Sequence, residues 1–267
     1  MHAPLTPSVR RIGAVNWQGL WTLYLREVHR FLKVSMQTLF APVVTTLIFL
    51  AVFLFALGGQ GRMMGGMPYL EFLAPGLVMV AVTQNAFANT TSSIMIMKMQ
   101  GNIVDLLMPP INAWELTLGF ALGGLTRGLM VGVVVTASMA IFVSIEIHSL
   151  WAALFYASAA SLMLSVLGII GAIWADKYDH LAAVTNFVVT PLAFLSGTFY
   201  SIEQLPPLWH RIALCNPFFY MIDGFRYGLT GLAEAPLWLG VTILTAINAA
   251  LLAGAYLMIE RGYKLKA

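Results

Sequence analysis

The sequence predicts an all-α integral membrane protein with six transmembrane helices, because of its composition and the length of its apolar runs. Of its 267 residues, 60% are hydrophobic and 9% are charged, whereas soluble domains carry about 25% charged residues. The apolar residues form runs of roughly 20, the length that crosses a hydrocarbon core about 30 Å thick. Runs such as VVTTLIFLAVFLFALGG do not alternate apolar and polar residues, which excludes a membrane β-barrel.

The apolar runs divide the chain into an N-terminal segment, 1–37, a transmembrane domain, 38–259, and a short tail, 260–267. Placing the N-terminus in the cytoplasm leaves only Arg62, Arg211 and Arg226 on the outer side. The positive-inside rule therefore predicts that both termini are cytoplasmic. The six predicted spans are 38–57, 72–95, 116–143, 150–175, 181–200 and 237–259.

The N-terminal segment contains an amphipathic pattern, NWQGLWTLYLREVHRFLKVS, with Arg26, Arg30 and Lys33 opposite an apolar face. It predicts a helix lying in the cytoplasmic interface. Two interpretations stay open: an anchor for anionic headgroups, and a surface that docks a partner. The apolar face comprises Trp17, Leu20, Trp21, Tyr24, Val28, Phe31 and Leu32.

Two further segments have a predicted local structure. The inner loop 98–115, KMQGNIVDLLMPPINAWE, has apolar residues around Asp105 and ends its pattern at Pro109 and Pro110. We expect a short helix at the membrane surface there. The third span is rich in glycine at small-xxx-small spacing, which predicts close packing of helices. These glycines are Gly119, Gly123, Gly124, Gly128 and Gly132.

Several kinds of chemistry are missing from the sequence. The pattern G-x-x-x-x-G-K-[ST] does not occur, so any ATP that drives this protein is hydrolysed by another polypeptide. The predicted spans contain no Asp, Glu or His away from their ends, which argues against a proton-coupled carrier. The five histidines have no metal-ligand spacing and Cys215 has no second thiol, so we predict no metal site. No catalytic triad and no nucleic-acid groove are predicted.

Polar residues inside the spans are the candidate pathway residues. Arg127 falls near the bilayer midplane, about 16 Å into the third span at 1.5 Å per residue. It either links spans or subunits and contacts substrate, or only bonds to backbone carbonyls. Asn85 and Asn89 lie one turn apart on one face of the second span. They either line a cavity for an amphiphile or form interhelical hydrogen bonds.

Three short patterns mark the segment 191–228: Ser196-Gly197, Pro206-Pro207 and Asn216-Pro217. With them, the segment resembles the C-terminal signature of the ABC-2 type exporter membrane subunits. YLEFLAPGLVMVAV in the second span and GNIVDLLMPPINAWEL in the inner loop also resemble this family, so the likeness covers nearly the whole chain. It is greatest to the small bacterial permeases of drug and glycolipid export. The matching residues are Pro191, Leu195, Ser196, Gly197, Phe199, Leu205, Pro206, Pro207, Asn216, Pro217, Tyr220, Asp223 and Arg226.

The resemblance implies a re-entrant hairpin over 201–228, between the fifth and sixth spans, which forms a lid at the outer end of a pathway. An apolar segment that does not span is tolerated where its turn is packed against protein or lies in the interface. The implied outer-gate residues are Gly197, Phe199, Pro206, Pro207, Asn216, Pro217, Tyr220, Asp223 and Arg226.

The resemblance also implies a coupling helix over 101–110, which inserts into a groove of an ATPase subunit. Its contact residues would be Gly101, Asp105, Leu106, Leu107 and Pro109, and the interfacial helix would add Glu27 and Arg30. The pathway would lie between two copies of the chain, lined by the second and fifth spans. Its candidate lining residues are Asn85, Asn89, Asn186, Phe194 and Arg127.

The implied function is that of the permease subunit of an ATP-driven exporter in the bacterial inner membrane. It would move a hydrophobic drug, lipid or glycolipid outward as a homodimer or close heterodimer with two cytoplasmic ATPase subunits. This chain would bind no cofactor, since ATP and Mg²⁺ belong to the partner. The alternatives are an ATP-independent six-span carrier or channel and a membrane-embedded enzyme, which the scarcity of carboxylates and histidines disfavours.

Overall fold

The computed structural model describes residues 13, 15–57, 63–103, 105 and 108–264. Within these residues, five helical segments are long and apolar enough to cross a membrane. They match the first, second, third, fourth and sixth predicted spans, so the chain is an all-α membrane protein. Arg62, Leu106, Leu107 and the two chain ends, 1–12 and 265–267, lie outside the described residues.

Ten α-helices are described, and long helices alternate with short ones near the C-terminus. Helix α2 is preceded by a π-helical turn, Met36–Phe40, and a second π-helical turn, Thr185–Val189, joins α6 to α7. The helices are α1 (Trp17–Leu32), α2 (Ala41–Leu57), α3 (Tyr69–Met99), α4 (Ala113–Met139), α5 (Leu150–Trp174), α6 (Tyr178–Val184), α7 (Thr190–Phe194), α8 (Pro207–Cys215), α9 (Pro217–Thr230) and α10 (Leu237–Glu260).

A small hairpin, which the sequence analysis did not predict, precedes α3. Strand β1 (Met63–Met64) pairs antiparallel with β2 (Met67–Pro68). Gly65 and Gly66 form the two-residue turn with φ of 59° and 85°. Glycine suits this turn because both positions need a positive φ.

The fifth predicted span, 181–200, is not one regular helix. It forms α6, the π-helical turn and α7 in succession, which together cover 178–194. Pro191 lies just after the π-helical turn, and its ring disfavours a regular α-helical turn before it. The helix ends at Phe194 rather than continuing to Tyr200, and Gly197 beyond it has a φ of 72°. The predicted end of this span was therefore six residues too late.

Helix α3 is the centre of the bundle and packs mainly against α4, α5 and α9. Most of α3 is buried, whereas α2 and α10 leave most of their surface exposed. The glycines of α4 bring neighbouring helices close, as predicted. A Cβ atom on Gly119 would lie 2.5 Å from Leu23 Cδ2, and one on Gly123 would lie 2.6 Å from Glu27 Cβ. Gly124 and Gly128 pack in the same way against Ser165 and Ser161 of α5.

Helix α1 lies against α4 and is amphipathic. Leu20 and Phe31 of the predicted apolar face are buried against the bundle, whereas Trp17 and Trp21 are 70% and 59% exposed. Glu27 faces inward and has no exposed surface. The side chain of Asn16 caps the start of α1 by accepting a hydrogen bond from the Gly19 amide at 2.9 Å.

Candidate functional site

A groove with both apolar and polar walls runs between α2 and α3 and has a cavity of about 710 Å³. We call it the α2–α3 groove. Arg127 of α4 reaches into its wall, and apolar residues such as Phe49, Leu77 and Val80 form much of the rest. Its polar lining residues are Arg30, Gln37, Thr38, Thr45, Thr46, Gln84, Asn85, Ser92 and Arg127.

Arg127 has one hydrogen-bond partner in the groove. Its Nη2 atom donates to Asn85 Oδ1 at 3.0 Å. Asn85 is itself held because its Nδ2 donates to the Ala81 carbonyl at 3.0 Å. The Nε atom of Arg127 is buried without a hydrogen-bond partner, and no carboxylate among the described residues forms an ion pair with this side chain.

The α2–α3 groove brings together three of the five predicted pathway residues. Asn85, Phe194 and Arg127 line it, and Asn89 and Asn186 do not. Asn89 is fully buried on the side of α3 that faces α1, where its Oδ1 accepts from Arg30 at 3.0 Å. Asn186 is exposed elsewhere on the surface. A place for these two asparagines on a pathway between two copies of the chain stays a prediction.

Sequence reasoning missed the contribution of the segment 37–46 to the groove. Gln37 and Thr38 line it from the π-helical turn before α2, and Thr45 and Thr46 line it from the first turns of α2. Their polarity within the first apolar run was the available signal. That run was treated only as a span, because small hydroxyl side chains hardly lower its hydropathy.

Glu27 forms the centre of a buried polar cluster between α1 and α3. Ser93 Oγ donates to Glu27 Oε1 at 2.8 Å, and Arg30 Nη2 donates to Glu27 Oε2 at 3.2 Å. Arg26 also donates to Oε1 at 3.2 Å. Arg30 reaches further to the Asn89 carbonyl at 2.7 Å. Since Glu27 is fully buried, its position fits a link between α1 and α3 better than the direct ATPase contact that was expected.

The loop 100–112 meets the start of α1. Asn16 Nδ2 donates to the Pro110 carbonyl at 3.0 Å, and the Asn16 amide donates to Glu115 Oε1 at 2.6 Å. A cavity of about 610 Å³ lies between α1 and this loop, with Arg26, Asp105 and Pro109 among its lining residues.

Three of the predicted coupling residues are described at this loop. Gly101 has a φ of 73°, a conformation that glycine adopts easily, and it lies just after α3. Asp105 is helical and exposed, and Pro109 is exposed. Leu106 and Leu107 lie outside the described residues. Gly101, Asp105 and Pro109 thus lie together at one end of the bundle.

The predicted hairpin region consists of α8 and α9, which meet at Asn216. Asn216 Oδ1 accepts from the Phe218 amide at 3.1 Å and caps α9, while its Nδ2 donates to the Leu192 carbonyl at 2.8 Å. Pro217 occupies the first turn of α9, where a missing N–H does no harm. Pro206 and Pro207 are exposed at the start of α8.

Arg226 and Asp223 connect α9 by hydrogen bonds to the segments before α8 and after α9. Arg226 is buried and donates from Nη2 to the Gly197 carbonyl at 2.6 Å. Asp223 accepts from the backbone amides of Glu234 and Ala235 at 2.9 and 3.0 Å. The Asp223 Oδ1 to Arg226 Nη1 distance is 3.8 Å.

Other predicted outer-gate residues also make structural contacts. Tyr69 Oη donates to the Phe199 carbonyl at 2.9 Å, and Tyr220 Oη donates to the Leu214 carbonyl at 2.9 Å. Glu234, which the prediction omitted, accepts from the Ile202 amide at 3.0 Å. Burial raises the pKa of Glu234, while nearby Arg226 acts in the opposite direction. Of the predicted gate residues, only Phe199 lines the α2–α3 groove.

Comparison with known proteins gives a consistent family assignment. The sequence model of the ABC-2 type transporter family matches residues 18–230. The chain is 36% identical over 251 residues to the inner membrane transport permease YadH of Escherichia coli strain K12, which covers 94% of this chain and 98% of that protein. It is 28% identical over 231 residues to nodulation protein J of Neorhizobium galegae, covering 82% of this chain and 83% of that protein.

The nodulation protein J of Rhizobium leguminosarum bv. viciae is a similar relative, 27% identical over 242 residues. That alignment covers 87% of this chain and 89% of the relative. The family match includes the α2–α3 groove and α9, and the alignments with the relatives extend over most of the chain. The chain belongs to the ABC-2 type transporter family and is a membrane transport subunit of an ABC transporter.

Proposed function

We propose that this chain is the permease subunit of an ATP-driven exporter that moves an amphipathic compound outward across the bacterial inner membrane. The observation that carries the proposal is the family match over 18–230, in a chain whose sequence has no phosphate-binding loop of its own. ATP and Mg²⁺ therefore belong to a separate ATPase subunit, present in two copies. The name of the Escherichia coli relative, inner membrane transport permease YadH, supports this location.

The proposed membrane arrangement has six spans with both termini in the cytoplasm. The segmented helix α6–α7 would be the fifth span. Helices α8 and α9 would form the re-entrant hairpin on the outer side. Support comes from their lengths of 9 and 14 residues, which give about 14 and 21 Å at 1.5 Å per residue, less than a hydrocarbon core of about 30 Å.

The loop 100–112, together with α1, is the proposed docking surface for the ATPase. The exposed side chains of Asp105 and Met108 and the cavity between α1 and the loop favour this surface. Leu106 and Leu107 remain proposed contacts on the strength of the family resemblance. Movement of the docked ATPase would reach α3 and α4 directly, because the loop connects these two helices.

The proposed pathway lies between two copies of the chain, with the α2–α3 groove on its wall. Helix α2 leaves most of its apolar surface exposed, which suits contact with lipid or with a second copy. The groove combines apolar and polar walls, as an amphipathic substrate requires.

Copurification and ATPase assays test the proposal. The permease is produced together with a candidate ATPase from a neighbouring reading frame, reconstituted in lipid nanodiscs, and compared with Asp105→Ala and Leu107→Ala. We expect the complex to form and both variants to weaken its ATPase activity. Asp179→Ala, at another exposed acidic position, is the matched control. A permease that binds no ATPase, or variants that behave like the control, would contradict the coupling assignment.

A further inference from the structure

The positive charge of Arg127 is poorly compensated. The residue lies near the middle of α4, roughly 20 Å from either end at 1.5 Å per residue. A charged side chain at this depth is costly and is normally paired. Here the guanidinium has a single neutral partner, Asn85, and its buried Nε atom has none among the described residues.

Among the described residues, no carboxylate forms an ion pair with Arg127. Glu27 of α1 packs against Gly123, one turn before Arg127, but it is paired with Arg26 and Arg30. The described residues of α2 and α5 contain no Asp or Glu, and α3, α4 and α10 carry Glu71, Glu115 and Glu260 only in their first or last turns. Glu115 is already bonded to Asn16 and Asn112. An acidic ligand in the groove would supply the negative charge that Arg127 lacks.

Further cations lead from α1 toward Arg127. Arg30 lines both the α2–α3 groove and an adjoining cavity of about 620 Å³. Arg26 and Lys33 line that second cavity. Glu27 offsets only one of the arginines Arg26 and Arg30, so the region keeps a net positive charge. An acidic group that enters from the α1 end would therefore be close to positively charged side chains along its way to Arg127.

The rest of the α2–α3 groove suits an apolar chain attached to that acidic group. Phe49, Leu77, Val80 and Ala88 line it beside the neutral polar residues. We propose that the groove binds an amphiphile with a phosphate-like acidic headgroup. The headgroup passes Arg30 and then binds Arg127. The proposal rests on the transport function above and narrows its substrate class to acidic amphiphiles.

Native mass spectrometry of the full-length permease tests this binding. The chain, in maltoside micelles, is titrated with dodecyl phosphate, with dodecyltrimethylammonium and with inorganic phosphate. We expect dodecyl phosphate to bind saturably and Arg127→Gln to weaken it at least tenfold. The matched control, Arg261→Gln, removes an exposed arginine at the end of α10 and should leave the affinity unchanged.

Each outcome of the titration decides one point. Unchanged affinity in Arg127→Gln, or equal binding of the cationic amphiphile, would overturn the proposal. If inorganic phosphate competes at the same concentration as dodecyl phosphate, the site binds a free anion, and the proposal that its ligand is an amphiphile is contradicted. If Arg127→Gln does not fold, Val80→Trp is tested instead. Its indole should block dodecyl phosphate from the α2–α3 groove without removing a charge. Unchanged binding in this variant would show that dodecyl phosphate does not bind in the groove.

The two proposals can fail separately. Arg127 lies far along α4 from the loop 100–112, so Arg127→Gln should still copurify with the ATPase. If the permease binds dodecyl phosphate but no ATPase partner, the proposed exporter function is contradicted and the proposed binding site is supported. If the complex with the ATPase is functional but Arg127→Gln binds dodecyl phosphate as tightly as the wild type, the proposed site is contradicted and the exporter function is supported.

Discussion

The guanidinium carbon of Arg226 lies 3.7 Å from the centroid of the Phe72 ring, so that α9 is held directly against α3. The same guanidinium donates to the Phe72 carbonyl at 3.3 Å and to the Gly197 carbonyl at 2.6 Å. A desolvated cation–π contact contributes about 2 kcal/mol. One buried side chain therefore joins α3, α9 and the segment after α7, which makes this end of the bundle a fixed unit.

Arg226→Lys should lower the free energy of unfolding by about 3 kcal/mol. A lysine cannot donate to two carbonyls in the planar geometry of arginine, and it leaves Asp223 without its nearby guanidinium. Thermal unfolding of the purified protein in detergent measures the loss. Arg211→Lys, on the exposed surface of α8, is the control and should change stability by less than about 0.5 kcal/mol. Equal melting of the two variants would show that the Arg226 contacts contribute little.

Hydropathy predicted the long helices well because it measures how many apolar residues follow one another. It could not predict the end of α7, since the residues 195–200 are apolar enough to continue a span. Their geometry decides the matter: Gly197 has a positive φ, and its carbonyl is bonded to Arg226. That bond joins segments distant in sequence, which no local pattern reveals.

The candidate site was predictable where a residue type was rare in its surroundings. Arg127 and Asn85 were identified because charge and amides are rare in apolar spans, and both line the α2–α3 groove. The buried place of Asn89 depends on Arg30 crossing from α1 to α3. The inward position of Glu27 depends on the same helix contact. Neither could be predicted without knowing which face of α3 receives α1.

Gly228→Ala should destabilise the protein by about 1 to 3 kcal/mol, because overpacking moves the backbone. A Cβ atom there would lie 2.5 Å from the Ala153 amide nitrogen, and this backbone of α5 cannot easily shift. Gly254→Ala in α10 is the matched control, since the nearest atom to its new Cβ is Ile170 Cδ1 at 3.9 Å. The control should be neutral or stabilising by up to about 1 kcal/mol through helix propensity. Chemical unfolding compares the two, and equal effects would contradict close α5–α9 contact.

Glu27→Ala should loosen α1 from the bundle and cost about 3 to 5 kcal/mol, because it leaves the partly buried Arg30 without its carboxylate. Limited proteolysis of the purified protein should show faster cleavage near Arg26 and Arg30. Glu146→Ala removes an exposed carboxylate from the loop between α4 and α5 and should leave the cleavage rate unchanged. Cleavage at the wild-type rate in Glu27→Ala would mean that apolar contacts such as those of Phe31 hold α1 alone.

Gly124→Ala and Ser165→Gly should be strongly non-additive. A Cβ atom on Gly124 would occupy the space of the Ser165 side chain, whose Oγ donates to the Ala121 carbonyl at 3.0 Å. Removing that side chain relieves the two closest contacts and leaves only the Ala86 carbonyl oxygen, 3.1 Å from the new Cβ, to adjust. The double variant should therefore be at least about 1 kcal/mol more stable than the sum of the single changes.

Chemical unfolding of the four proteins in this cycle measures the coupling. Gly228→Ala with Ser165→Gly is the control cycle, because its contact residue, Ala153, lies about 18 Å from Ser165 along α5 at 1.5 Å per residue. That cycle should be additive within about 0.5 kcal/mol. Additivity in both cycles would mean that α4 and α5 move apart to accept the methyl group. The glycines of α4 would then not be what sets the distance between the two helices.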